Sequence, residues 1–198
     1  QEIDAVYDPT INPFSPIETG IYPAHIIGFG TRNVKTRVGD AIVINMTYEI
    51  ADEAGELVQL VYQMDGYNYK LDNNGEKQLV LDKDGKSKTT KCQHLVGKKF
   101  RDSGTFVFTD KESSGRNRRY FELLSTLGVN LNENSKGEFP LSLLEEDDVI
   151  GLPVLARLNS EEYEKDGEKK TAWKVFDVQY WKDGQRLSKE EIEDDLPF

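Results

Sequence analysis

Cysteine, histidine and positive charge are all scarce in this chain. Among 198 residues there is one Cys, with two His, two Met and two Trp. A lone thiol, Cys92, excludes an intrachain disulfide and any cysteine-built metal site, and suits a reducing compartment as a buried bystander. His25 and His94 are the only imidazoles for general-base work, and His25 falls inside a strand pattern. Neither a phosphate-cradling glycine loop nor a nucleophile elbow occurs. Catalysis, a cofactor and a metal are therefore not expected. The run Glu145-Glu146-Asp147-Asp148 has the composition of a two-metal nuclease site, but four consecutive acids do not converge on one metal pair from a single helix. No apolar run reaches the length of a membrane span, and the first residues lack the charged-then-apolar pattern of a signal peptide. The expected location is the cytoplasm, with no membrane partner.

Lys and Arg number 25 against 36 Asp and Glu, a formal net charge of −11. That sum opposes a polyanion as partner; its distribution does not. Residues 83–119 hold eleven Lys and Arg against four acids, so the remainder is far more acidic than the average. A local field of this kind matters more to a nucleic acid than the global sum.

What is present is β-pattern. Residues 1–19 carry Pro9, Pro13 and Pro16 and read as an extended lead-in. Residues 20–30, bracketed by Gly20 and Gly30, read as a first strand, followed by a polar loop over 31–39. Residues 40–51 alternate, with Ile42, Ile44, Met46, Tyr48 and Ile50 on one face and Asn45, Thr47 and Glu49 on the other. A turn at 52–55 leads to a third strand over 57–64. Two turn signals, at 71–75 and 81–85, mark a protruding hairpin-like insertion at about 66–115. The fragment Asp82-x-Asp84-Gly85 lacks the further ligands of a calcium loop and reads as a β-turn. Residues 106–109 fit another short strand. Residues 116–127 place Tyr120, Leu123, Leu124 and Leu127 on one helical face, stopped by Gly128. A short helix is expected at 142–148. Strands at 152–158 and 171–181 flank a charged hairpin loop, 159–170. Three strands, a connection containing a helix, then two strands is the element order of an OB-fold. The expected architecture is mainly β: a five-stranded OB barrel over 20–181 with an inserted hairpin, one or two helices, and a disordered acidic tail over 182–198.

The end of the sequence is its most specific feature. Glu193-Asp194-Asp195 is followed by Leu196-Pro197-Phe198, an acidic stem with an apolar aromatic tip that has nothing local to pack on. This stretch resembles the C-terminal tip of single-stranded-DNA-binding proteins, which typically end Asp-Asp-Asp-Ile-Pro-Phe. Looser likenesses to the phage-type members lie in Gly20-x-Tyr22-x-Ala24, in Leu124-x-x-Leu127-Gly128 and in Gly151-x-Pro153-Val154. The resemblance implies a non-enzymatic protein that coats and protects exposed single strands during DNA replication, recombination and repair. It also implies that Asp194, Asp195, Leu196, Pro197 and Phe198 recruit a partner such as a polymerase, helicase or primase, recombinase or nuclease.

A protein that holds single strands needs cations along the phosphates and aromatic faces for the bases. In an OB-fold this surface crosses strands two and three, with the loops joining strands one–two and four–five closing over it. The first loop offers Arg32, Lys35 and Arg37; the later one offers Lys165, Lys169 and Lys170, with Trp173 just beyond. Strand three and its extension offer Tyr62, Tyr67, Tyr69 and Lys70. Tyr48 and Tyr62 lie in register with apolar neighbours and fit packing as well as base contact, whereas Phe106, Phe108, Phe176 and Tyr180 read as core. Arg116, Arg118 and Arg119 crowd the first turn of the predicted helix, where the dipole favours an anion, either a phosphate or an acidic tail. The competing function is a protein-interaction adaptor whose barrel binds proteins and whose tail imitates such a tip, a reading the net negative charge favours. A metal-dependent nuclease is the third.

Overall fold

The structure, a computed structural model, describes residues 15–66 and 68–194 and divides into two units. One comprises residues 52–96 with the lead-in through Glu18; the other comprises 19–51 and 97–194.

The larger unit is a closed barrel. Its strands are β1 (Gly20–Thr36), β2 (Gly39–Ile50), β7 (Lys99–Asp102), β9 (Pro153–Lys165) and β10 (Glu168–Tyr180). β1 pairs with both β2 and β9, β9 with β10, β10 with β7, and β7 with β2, which closes the ring. The β7–β10 pair alone is parallel, Lys174 opposite Arg101. Five strands in this circuit, with a helix between the third and fourth, form an OB-type barrel as the element order predicted. Ile44, Met46, Tyr48 and Ile50 of β2 are buried together with Ala24, Ile26, Val154, Ala156, Leu158 and Val175. Each Ile, Leu, Met or Val side chain among these contributes roughly 1.5–3 kcal/mol before the entropy of ordering is subtracted. The helix α1 (Arg118–Thr126) packs on β10 and on a sixth strand, β8 (Thr105–Phe108), which pairs with the far half of β2. Tyr120 of α1 is fully buried; its hydroxyl donates to the Ser142 carbonyl at 2.7 Å and accepts the Leu144 N–H at 2.9 Å. The short helix α2 (Glu146–Val149) is closed by a capping box between Glu145 and Asp148.

Four expectations are corrected here. The third barrel strand is β7, not residues 57–64. A pattern search favours the longer apolar run, yet β7 needs only Phe100 and Asp102 facing inward. The charged stretches 31–39 and 159–170 are not loops: β1 and β2 run as a paired ribbon to a turn at Arg37-Val38, and β9 and β10 to one at Asp166-Gly167. Asp166 and Gly167 both have positive φ, 57° and 79°, matching the twist of a two-residue hairpin. Both rim connections of the barrel are therefore β-arms, exposed on both faces, which erases the apolar alternation that reveals a strand. Phe106, Phe176 and Tyr180, read as core, are 42%, 57% and 68% exposed, and Phe108 is half-buried. Ile42 is half-buried, while its neighbour Val43 is buried.

The exit from the barrel is also ordered. Trp181 is buried and tilted against His25, whose Nε2 lies 2.9 Å from the Gln185 carbonyl oxygen. Arg186 donates to the carbonyls of Ile150 and Asp147, and the Leu187 N–H to that of Gly151. Gly151 has φ +82°, and a Cβ there would meet the Leu187 carbonyl oxygen. Residues 182–188 thus form a strap fastened to the barrel, leading into α3 (Lys189–Asp194). Asp195, Leu196, Pro197 and Phe198, the expected partner-binding tip, lie outside the described residues.

The smaller unit holds β3 (Val58–Leu60) paired with β6 (Thr89–Lys91), and the two-residue strands β4 (Met64–Asp65) and β5 (Asn68–Tyr69). Between β5 and β6 stand two turns of identical build. The Asp72 carboxylate accepts the N–H groups of Asn74 and Glu76, and the Asp82 carboxylate those of Asp84 and Lys86. Gly75 and Gly85 supply the positive φ each needs. The calcium-like fragment is therefore a turn whose aspartate is spent on its own backbone. Cys92 is buried, and burial pushes its thiol pKa up.

Candidate nucleic-acid interface

Side chains of like parity along a strand share a face. On β2 the inward set is Ile44, Met46 and Tyr48, so Val43, Asn45 and Thr47 face outward. Register carries that outer face sideways. Thr47 stands opposite Arg101 of β7, and Arg101 opposite Lys174 of β10. Val43 stands between Arg32 of β1 and Phe106 of β8, and Ala41 between Val34 and Phe108. One outer surface therefore carries Lys174, Arg101, Asn45, Arg32, Phe106 and Phe108. Phe106 and Phe108 stack with ring centroids 6.3 Å apart and planes 22° from parallel.

This surface is shaped by Asp102. Its carboxylate accepts the N–H groups of Met46 at 3.2 Å and Gly104 at 3.0 Å, and the Asn45 side-chain amide at 3.4 Å. Burial raises the Asp102 pKa above the ordinary carboxylate value, against the lowering effect of these bonds. Burial, with Asp102 nearby, also raises the Tyr48 phenol well above its usual range. Gly104, at φ +86°, crosses directly over β2: a Cβ there would lie 2.7 Å from Val43 Cγ1 and 2.8 Å from Asn45 Nδ2. Asn117 fixes the other side of β8, accepting the Phe108 N–H at 2.7 Å and donating to its carbonyl at 3.0 Å.

The residues expected at the site are distributed as follows. Arg32 and Lys35 are exposed on opposite faces of the β1–β2 arm, Lys35 opposite Asp40, and Arg37 is exposed at its turn. Lys169 stands opposite Glu164, and Lys170 is 3.8 Å from Glu168. Trp173 is half-buried on the side of β10 that carries buried Val175. The arginine cluster does not converge. Arg116 lies in the 3₁₀ turn Lys111–Asn117, Arg118 bonds Glu122 at 2.8 Å one helical turn on, and Arg119 donates to the Phe176 carbonyl at 2.9 Å with its guanidinium 5.8 Å from that ring. For Arg118 and Arg119 those partners lie within the chain, so neither requires a bound anion.

Tyr62, Tyr69 and Lys70 belong to the smaller unit. Tyr62 and Tyr69 meet edge to face at 5.8 Å, Lys77 Nζ lies 3.7 Å from the Tyr69 ring centroid, and the Tyr69 hydroxyl donates to Glu18 at 2.5 Å. Tyr69 is thus built into a packed cluster, and Lys70 is exposed beside it. Tyr67 lies outside the described residues. Sequence reasoning did not place Arg101, Lys174, Phe106 and Phe108 on one face, where register puts them. The available signal was Phe106-x-Phe108 directly after Gly104: two aromatics on one face of a strand that begins at a glycine.

The acids of residues 145–148 serve the scaffold: Glu145 and Asp148 cap α2, and Asp147 pairs with Lys189 at 2.6 Å. Among the described residues no cluster of three or more His, Cys, Asp or Glu is arranged to hold a metal ion, and no helix is long and apolar enough to cross a membrane. No protein-family model, no curated protein and no solved structure matches the chain.

Proposed function

We propose that this protein binds single-stranded DNA across the outer face of β2, β7 and β8, and that it works by coating rather than by catalysis. The observation that carries the reading is the pairing, on that one face, of the stacked Phe106–Phe108 rings, Phe106 exposed and Phe108 half-buried, with the exposed cations Arg32 and Arg101 and with Lys174, whose ammonium also pairs with Glu161. Aromatic faces accept bases of any sequence, and guanidinium and ammonium groups follow the phosphates. The acidic segment Asp194–Phe198 then recruits replication or recombination enzymes, as its resemblance to the tips of single-stranded-DNA-binding proteins implies. The test is anisotropy of a labelled poly-pyrimidine strand across a salt series. Log affinity falls linearly with log salt, with a slope of about −0.7 per phosphate neutralised. Absence of binding at low salt would favour the adaptor reading, which draws on the β9–β10 arm: residues 159–170 carry five acids against three lysines.

A further inference from the structure

The two arms leave two strand edges open. Beyond Ile26, β1 pairs with β2 on one side only; beyond Leu158, β9 pairs with β10 on one side only. In antiparallel pairs, alternate residues turn their N–H and C=O groups toward the partner and away from it. On β2, Asp40, Ile42 and Ile44 serve the β8 side, as the Thr109 N–H bond to the Asp40 carbonyl shows. The residues of β1 opposite the remaining β2 positions are therefore satisfied, and Phe29, Thr31, Asn33 and Lys35 turn their backbone groups outward. The turn at Asp166-Gly167 closes the Lys165–Glu168 pair, so Glu162 and Glu164 of β9 point outward in the same way, as does Ser160, whose N–H donates to the Asn159 side-chain oxygen at 2.9 Å. Among the described residues, no backbone group pairs with either edge over residues 28–36 or 160–165.

The edges differ in charge. Residues 28–37 carry Arg32, Lys35 and Arg37 and no acid; residues 159–165 carry Glu162 and Glu164 against Lys165, besides Glu161, which pairs with Lys174 of β10. Charged residues on an exposed edge discourage pairing with another copy of the same edge. Here each edge repels its like and attracts the other. We infer that the β1 edge of one copy pairs with the β9 edge of a second copy, a head-to-tail contact that leaves both outer edges of the pair open for further copies. Such a heterologous interface generates rows rather than closed dimers. It requires no nucleic acid and stands independently of the DNA-binding reading.

The test uses the full chain without DNA, followed by sedimentation velocity across a concentration series. The wild-type protein forms species larger than a dimer as concentration rises, and high salt shortens them. Asn33→Pro removes one outward N–H from the β1 edge, and Glu162→Pro one from the β9 edge; neither N–H serves the arm's own pairing. Each variant alone is monomeric, while an equimolar mixture of the two forms a 1:1 dimer and nothing larger, because each retains the edge the other lacks. Circular dichroism verifies the fold of both. Should proline unfold an arm, Lys35→Glu abolishes assembly and the added Glu162→Lys restores it. A wild-type chain that stays monomeric at every concentration overturns the proposal. So does continued association of either proline variant alone, which would reveal a symmetric pairing of the intact edge.

Discussion

The rings of Phe106 and Phe108 lie nearly parallel on the outer face of β8, with Phe106 42% exposed and Phe108 half-buried. Exposed aromatics in register, on a strand stapled at both edges, are costly to leave in water unless something covers them. Phe106→Ala should weaken binding to a poly-pyrimidine strand by about 1–3 kcal/mol, the range for losing one base–aromatic stack. Its melting temperature should change little, since much of the ring is already solvated. Anisotropy and thermal melting on the same preparation separate the two effects; unchanged affinity removes Phe106 from the interface.

Tyr69→Ala should behave in the opposite way. The ring is held between Tyr62 and Lys77, with its hydroxyl on Glu18. An aromatic pair contributes about 0.5–1.5 kcal/mol beyond its burial. The variant should therefore lose stability in denaturant melts while retaining affinity for DNA. A loss of affinity at unchanged stability would return Tyr69 to the interface.

The barrel was legible because β2 and the wall portion of β9 alternate, while β1 is an apolar stretch bracketed by glycines. Ala24, Ile26, Met46, Tyr48, Val154 and Ala156 announce a buried face. β7 was not legible: four residues, two of them charged and outward, leave no periodic signal. The arms failed for a related reason. A ribbon solvated on both faces has no apolar side to alternate with a polar one, and Arg32, Lys35, Glu162 and Glu164 read as loop. The site was half legible. Cations in the connections flagged Arg32, but Arg101 and Lys174 enter it only through β7–β10 pairing, which joins residues far apart in sequence. Phe106 and Phe108 were visible as a pair and assigned to the core, because aromatic alternation alone does not distinguish a buried face from a platform.

Gly104→Ala should be strongly destabilising, because the residue is buried against β2. The residue sits at φ +86°, and the new Cβ would press on Val43 and Asn45. Alanine at positive φ costs about 1 kcal/mol before any clash is counted, and the displaced β7–β8 turn should also lower DNA affinity. Equilibrium unfolding alongside anisotropy checks both; wild-type stability would mean that the crossing over β2 is looser than the backbone implies.

Asp102→Asn probes the buried carboxylate. Its folded pKa is raised, so the native state holds this proton more tightly than the unfolded chain. The resulting stability is fully present below the ordinary aspartate pKa and is lost as pH rises through the folded value. Asparagine keeps an oxygen for the Met46 and Gly104 N–H groups and never ionises. The melting temperature of the variant should therefore gain on wild type as pH climbs from about 3 toward neutrality. A constant difference across that range would show that Asp102 carries no raised pKa.

The acidic helix α3 borders β7 beside Lys99. Lys189 and Ile192 line a cleft of about 300 Å³ with Ile27, Glu49 and Lys99, and Lys99 lies two residues from Arg101 on β7. Residues 189–198 carry five acids against Lys189 alone. A tethered polyanion has a high effective concentration beside the surface it borders. Deleting residues 189–198 should therefore tighten binding to single strands, most clearly at low ionic strength, where exposed charges are least screened. Phe198→Ala leaves that charge in place and removes only an apolar side chain. It should leave DNA affinity near wild type while reducing capture of a partner polymerase, helicase or recombinase. A deletion that weakens DNA binding would instead make α3 part of the binding surface, and the recruitment role of the segment would then need a different basis.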